Sequence, residues 1–566
     1  MSNPLLAPTV IDQVHNWLDA SDVVTPVDLT VAQRSQYAGA WELKEHYAHL
    51  GNVRPRILLP RDFPFAPLRI ELDPVLCLRL PHIEASGNFC HGVLPEPADL
   101  DDPVHAAGRV LSGFLDYVER SADAKWVEEE FQRESHDYWL RHAAAANPPK
   151  GYQTDELLLD VDPDVGQVQQ AEALNLASRI RAIVSTREGG PKAVAEAIGW
   201  SLGTIVHGTA LIAPLPQHRR WTPDVWPRSF DALVTLVDEI TGTSGATVAW
   251  YDSRTWPSEA PLFIVLLQSP VAYGWRIIPP RARISKYPSI VPIKVTRIDR
   301  RWALARDHER EQLDTLTKKH VVVLGCGSLG APTIELLARA GIGSFDVVDP
   351  DIMRPENISR HPLGIRSSGL YKAKEICARL ESGVPGIRVT PHTYSAQQWL
   401  AELHPSPHLI LDCTGERTVR MATSQARRTT HKTVPTMMAW LEPFGAAAHV
   451  VTVVGSDSWP ASDPSATAIN IANWPDDVEH RHPGCGQGYH PFGMSDAWEA
   501  ASMVTRRAIA LLRGDEVTSD VVSLIRQRAF FEHSSPGVTF HRDVVIPPGV
   551  EAIVDRRPLT EAVRGV

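Results

Sequence analysis

Cysteine is scarce in this chain: six among 566 residues, at positions 77, 90, 326, 377, 413 and 485, no two of them separated by two residues. That spacing excludes a paired CxxC zinc knuckle and a disulfide scaffold, and it suits a reducing cytoplasm where thiols stay usable. Positive charge is short as well. With 56 Lys and Arg against 67 Asp and Glu the formal net charge is −11, which argues against nucleic acid or an anionic membrane as the main partner. Long apolar runs are missing: residues 193–215 come nearest, but Glu196, His207 and Pro214 interrupt them, so no membrane span is expected. Met1 to Trp17 lacks the basic start and continuous apolar run of a secretory signal, and a cytoplasmic protein is expected. There is no internal repeat or low-complexity tract, and the length suffices for three ordinary domains with full cores.

Against that background residues 318–330 stand out. Val321, Val322, Val323 and Leu324 are too continuously apolar for a half-exposed strand and predict a buried one. Gly325, Gly327 and Gly330 follow as a GxGxxG turn, which lets the backbone turn tightly, approach phosphate oxygens and pack the next helix closely on the sheet. The helix N-terminus adds amide donors and a positive dipole end. Val347, Val348 and Asp349 predict a second strand ending in a carboxylate where ribose hydroxyls are bound. To this point a nicotinamide-dependent oxidoreductase fits equally well. Arg354, Asn357, Arg360, Lys372 and Lys374 suit it poorly, because cationic and amide donors just downstream of the ribose acid favour a triphosphate attacked at its α-phosphorus. The plain alternative is a solvated charged loop.

The series Asp349-Pro-Asp351, Asn357-Ile-Ser-Arg360 and Gly369-Leu-Tyr-Lys372 resembles the adenylating domain of ThiF-type and ubiquitin-activating enzymes. The resemblance implies a Rossmann-like domain that binds ATP with Mg2+, with Asp349 on the ribose, Arg360 on phosphate and Lys372 as the family's lysine. Arg301 and Arg306 look like the family's arginine-bearing helix, whose arginine reaches ATP and often comes from a partner subunit, which implies a homodimer. The family usually has Asp-Cys-Thr-Asp at its fourth strand, the last Asp holding magnesium. Here Asp412-Cys-Thr-Gly415-Glu416 has glycine there, leaving Asp412 or Glu416 to stand in.

A carboxylate is a poor electrophile, and adenylation makes it one that a thiolate can convert to a thioester. Cys485, in the glycine- and proline-rich stretch 482–496 ahead of a helix expected at 497–512, resembles the cysteine loop of ubiquitin-activating enzymes. The competing reading is a metal site, since His480, His482, Cys485 and His490 are ligand types at close spacing. Cys326, Cys377 and Cys413 fall inside expected core elements and read as small buried hydrophobes.

Near the N-terminus, residues 56–72 read as a strand, a proline-stiffened turn and a second strand, followed by His82-Ile-Glu84 and Gly87-Asn-Phe-Cys90-His91. This order resembles the ubiquitin-conjugating fold, and Cys90 falls on the conjugating cysteine. The Pro and the oxyanion-stabilising Asn expected after His82 are absent, so Asn88 or His91 is left to fill that role. Cys77 fits a buried position within an apolar strand. Two cysteines in two such modules suggest that a thioester passes from Cys485 to Cys90 and then to an amine, with tethering raising the local thiol concentration. The arrangement resembles the fused activating and conjugating proteins of bacterial CBASS antiphage systems, which ligate the C-terminus of a cGAS-like nucleotidyltransferase to cellular amines. A ubiquitin-like or sulfur-carrier protein remains the rival substrate, and a nonenzymatic nucleotide-binding scaffold the rival class.

The expected architecture is α/β and multidomain: an α+β ubiquitin-conjugating-like domain over residues 1–146, an α/β middle or linker domain over 147–296 and a ThiF adenylation domain with its cysteine loop over 297–566. A helix is expected at 127–142. In the middle segment helices are expected at 171–185 and 230–241, and strands at 246–250 and 262–267. Residues 515–566 read as a strand-rich tail with edges at 537–541 and 544–548.

Overall fold

The computed structural model describes residues 9–149, 151–161, 168–176, 181–200, 205–253, 260–280, 288–304, 310–402, 404–457, 480–481, 488–489, 492–515, 517–527 and 546–562. The chain divides into two compact units, Met1–Glu196 with Ser201–Arg297, and Ala197–Trp200 with Ile298–Val566. Among the described residues no helix is long and apolar enough to cross a membrane.

The second unit is built on an eight-stranded sheet in the order Arg388–His392, Ser344–Val348, His320–Leu324, Leu409–Asp412, Thr436–Leu441, Ala447–Val453, Asp520–Arg526, Ala552–Pro558. The first five strands run parallel and the last three are added antiparallel. Val321 and Val323 enter one core, with Ile334, Ile376 and Val504, while Val322 and Leu324 enter another, with Trp399 and Val419. A strand buried on both faces has no polar side, which is why its sequence shows no alternation. Strand order reverses beside His320–Leu324, so the crevice at its carboxyl end is the place where such sheets bind ligands. The helix Met494–Arg513 packs through Ala500, Ala501, Val504 and Ala508 and ends on Gly514, whose φ of +89° closes it.

The first unit begins with the helix Thr9–Asp19 and an antiparallel meander of Val24–Val27, Tyr37–Leu43, Arg56–Pro60 and Arg69–Glu71. The helix Pro103–Arg120 lays Val110, Phe114 and Val118 on its core with Trp41, Ile57 and Ile70. A closed seven-stranded barrel follows, in the order Val271–Ile278, Ser289–Arg297, Glu156–Asp160, Arg181–Ser185, Gln169–Leu176, Ile205–Pro214, Leu262–Gln268.

Several elements differ from expectation. The helix expected at 127–142 is two helices, Ala124–Arg133 and Ser135–Ala144, meeting at Glu134. Where a helix is expected at 171–185, the described residues 171–176 and 181–185 are barrel strands, because Gln169–Leu176 pairs along its length with Ile205–Pro214 and cross-strand pairing outweighs the helix preference of its Ala, Glu and Leu. The strand expected at 246–250 is the helix Ala246–Asp252, whose first turn is held by Asp238 accepting from Gly245 N–H and Thr247 Oγ1–H. Cys77 lies after the short helix Pro74–Leu76 and is half-buried, not within a strand. The helix at 230–241 and the strand at 262–267 are found.

Candidate functional site

The glycine turn sits where the strand His320–Leu324 leaves the sheet. Gly325 has φ +85° and donates its N–H to Val348 O at 2.8 Å, tying the turn to the neighbouring strand. A Cβ on Gly330 would lie 2.0 Å from Gly325 O, so only glycine lets the helix Gly330–Arg339 start this close to the loop. A Cβ on Gly327 would meet no atom of the described residues within 4 Å, which leaves room for a ligand on that side.

Asp349, buried at the end of Ser344–Val348, accepts Cys326 N–H at Oδ2 and Asp351 N–H at Oδ1, both at 2.8 Å. Burial pushes its carboxyl pKa up, and these two bonds with the nearby Lys372 oppose the shift. Lys372 opens the helix Lys372–Gly383 and places Nζ 3.1 Å from Asp351 Oδ2. Its backbone N–H donates to Asp351 O, closing the loop between them.

His361 clamps the turn from the other side. Its Nδ1 accepts Leu363 N–H, so Nε2 carries the proton and donates to Cys326 O at 2.8 Å. Burial lowers its pKa to about 4, and the ring is neutral near pH 7. A lone histidine in a loop gave no signal in the sequence.

Asp412 closes the crevice from the fourth parallel strand. Its Oδ1 accepts both the N–H and the hydroxyl of Thr414, at 2.9 and 2.6 Å, while Oδ2 is buried and has no hydrogen-bond partner among the described residues. Burial raises its pKa to about 6. An orphaned hard oxygen beside a glycine turn fits a divalent cation. Thr414 and Gly325 are neighbours: a Cβ on Gly325 would lie 2.9 Å from the Thr414 methyl.

The remaining sequence candidates sit differently. Asn357 accepts Arg354 N–H at 3.2 Å and shapes the turn Pro355–Arg360, and the guanidinium of Arg360 lies 5.4 Å from the centre of the Phe492 ring. Arg301 pairs with Asp314 at 3.1 Å. Its neighbour Arg300 anchors the helix Arg300–Leu304 to Ile342 O and Gly386 O, carbonyls in the loops that enter the parallel strands. Arg301 thus follows a residue tied to the end of the sheet where the parallel strands begin, whereas the glycine turn lies where they end. Arg306, Cys485, His482, His490 and the edge at 537–541 lie outside the described residues.

In the first unit Cys90 is exposed and free. Its N–H donates to His82 O at 2.8 Å, and Gly87, at φ +84°, makes the preceding turn possible. Asn88 and His91 flank it and line a pocket of about 560 Å³ with Tyr37, Arg61 and Arg69. His91 Nδ1 accepts Val93 N–H, leaving Nε2 as a donor, whereas the buried Asn88 Oδ1 has no hydrogen-bond partner among the described residues. Cys326 and Cys377 are buried, and burial pushes both thiols up, as expected of structural cysteines.

Known proteins match parts of this chain. The ThiF family matches residues 299–481. The ATP-dependent ubiquitin transferase-like protein Cap2 of Vibrio cholerae is 27% identical over 212 residues, 35% of this chain and 36% of that protein. Cap2 of Pseudomonas aeruginosa is 31% identical over 175 residues, 28% of this chain and 31% of that protein. The adenylyltransferase and sulfurtransferase UBA4 of Eremothecium gossypii is 37% identical over 123 residues, 21% of this chain and 27% of that protein. The matches span well under half the length of these relatives. ThiF-type adenylation enzymes use ATP, and the clamped turn, buried acid and lysine described above lie within the matched stretch: residues 299–481 form a ThiF family domain, in a chain related to the bacterial ubiquitin transferase-like proteins.

Proposed function

We propose that this chain uses ATP to activate the C-terminal carboxylate of a partner protein and ligates it to an amine. The observation that carries the reading is the glycine turn held between Asp349 and His361, with Lys372 beside it and an orphaned carboxylate oxygen on Asp412. Asp349 binds the ribose, the amides at Gly325–Gly330 and Arg360 take phosphate, and Asn357 shapes the turn that carries Arg360. Asp412 would hold Mg2+, which neutralises triphosphate charge when bound. The partner's carboxylate oxygen attacks the α-phosphorus and diphosphate leaves, with Lys372 compensating the developing charge. Arg301 or Arg306 supplies a further cation from a second copy, a homodimer arrangement favoured by the position of Arg301 away from its own chain's glycine turn.

The thiolate of Cys485 then displaces AMP, Cys90 takes the acyl group by thioester exchange, and an amine displaces Cys90 to give an amide while its proton goes to solvent. The helix, four-stranded meander and exposed cysteine turn of residues 1–146 support a ubiquitin-conjugating-like module. His91, with Nε2–H available, is the better placed donor for the oxyanion. A cGAS-like nucleotidyltransferase is the favoured partner, a ubiquitin-like protein the alternative, and the cytoplasm the favoured setting. Non-reducing gels of thioester formation with each candidate partner test the order. Cys90→Ala should still charge Cys485, whereas Cys485→Ala should leave both cysteines uncharged; charging of Cys90 in the second variant would break the relay.

A further inference from the structure

Three consecutive residues leading into the Cys90 turn are each held by a side chain from the helices behind them. Tyr117 donates its hydroxyl to Pro81 O at 2.8 Å, Tyr138 Oη accepts His82 N–H at 2.8 Å, and Arg141 Nη1 donates to Ile83 O at 3.2 Å. The ring nitrogens of His82 stand 3.5 Å from Glu130 and 3.7 Å from Glu134. A cation could in principle lie among these three groups, but Arg133 at 2.6 Å and Arg120 at 4.0 Å already satisfy Glu130, so the cluster is an ion-pair network.

What this bracing holds is an uncomfortable backbone. His82 has φ +59°, a left-handed conformation that a residue with a Cβ keeps only when its surroundings over-determine it. In that conformation its carbonyl accepts the N–H of Cys90. Tyr138 and Arg141 belong to the helix Ser135–Ala144, which also packs on the barrel strands Val271–Ile278 and Ser289–Arg297. Trp139 is fully buried and donates Nε1–H to Ile293 O at 3.1 Å, and the Ser135 and Tyr273 hydroxyls meet at 2.9 Å.

We infer that Tyr138 and Arg141 are positioning residues for Cys90, and that the barrel serves the acyl-transfer step by seating the helix that carries them. This rests on the reading of Cys90 as an acyl carrier. Both act through His82 and Ile83: if His82 relaxes to an ordinary conformation, its carbonyl turns away from Cys90 N–H and the cysteine shifts. Misplacement of a reacting group by about 1 Å costs roughly a hundredfold in rate. The network also stands where the resembling family has the Pro and Asn that this sequence lacks.

The test loads Cys90 of the full chain from a glycine-terminated peptide mercaptoethanesulfonate thioester, which bypasses ATP, and follows single-turnover discharge to free lysine. Tyr138→Phe and Arg141→Gln should each slow discharge by about tenfold or more with the lysine KM unchanged. In the H82G background, where glycine takes the left-handed conformation without help, Tyr138→Phe should cost much less. Loss of folding alone would not be rescued by H82G. Unchanged discharge in Tyr138→Phe, with Cys90→Ser inactive, overturns the inference alone; amide formation by Cys90→Ser overturns the reading of Cys90 and the inference with it.

Discussion

Replacing Asp349 by Asn changes one atom and no volume, so its effect on ATP binding isolates the charge and its bonds. The carboxylate now takes two backbone N–H groups, at 2.8 Å each. Asparagine keeps an acceptor for one and turns an NH2 against the other. Hydrogen bonds to a charged group contribute about 1.5–3 kcal/mol, and leaving a buried donor unpaired costs a similar amount. Burial already raises this carboxyl's pKa, so removing its charge recovers part of the desolvation cost and sets the net loss near the lower end. Both bonds exist without ATP, so this loss of about 2 kcal/mol falls on the stability of the turn, and it weakens ATP by at most roughly 30-fold in Kd, as far as the loosened turn must be re-ordered on binding, with the lost ribose contact added to it. Isothermal titration of the full chain with ATP and Mg2+ measures it directly. A Kd within about threefold of the unaltered protein, with the variant folded, would refute both the ribose role and the clamp.

Gly330→Ala, whose Cβ would meet Gly325 O at 2.0 Å, should abolish ATP binding, while Gly327→Ala should fold with an unchanged Tm and still weaken ATP if phosphate packs there. His361→Phe leaves Cys326 O and Leu363 N–H unpaired and should cost about 2–4 kcal/mol in urea unfolding. Because folding lowers the His361 pKa from 6.5 to about 4, the unfolded chain gains the proton first. Its contribution is full above pH 6.5 and is lost as pH falls toward about 4, so this variant should also have a shallower acid limb. Asp412, raised to about 6, is ionised above that pH and protonated below it. Dependence of ATP binding on Mg2+ should therefore weaken by about tenfold per pH unit below 6, and Asp412→Asn should flatten that profile.

Where local chemistry dictates structure, the sequence was sufficient. A strand buried on both faces, three glycines and a following acid describe the same objects in one dimension and in three, because each residue's constraint lies within a few neighbours. The helix expected at 497–512 is found as Met494–Arg513, ending on Gly514. The barrel was not legible: Gln169–Leu176 has a helical composition, and its strand state comes from a partner distant in the chain, with Leu176 opposite Ile205 at the near end and Gln169 opposite Ile212 at the far one. Nor could spacing reveal that Asp238 starts the helix Ala246–Asp252 or that His361 reaches back to Cys326. The bracing of His82 joins residues from two helices and a turn, and only the fold brings them together.

The central claim is that ATP is spent on an acyl group, and isotope exchange between labelled diphosphate and ATP measures that step alone. With Mg2+ and the correct protein tail, drawn from a cGAS-like nucleotidyltransferase and a ubiquitin-like protein, the full chain should catalyse exchange that Cys485→Ala and Cys90→Ala retain and Asp349→Asn loses. Absence of exchange with either tail, alongside oxidation or reduction of a nicotinamide cofactor, would contradict the account.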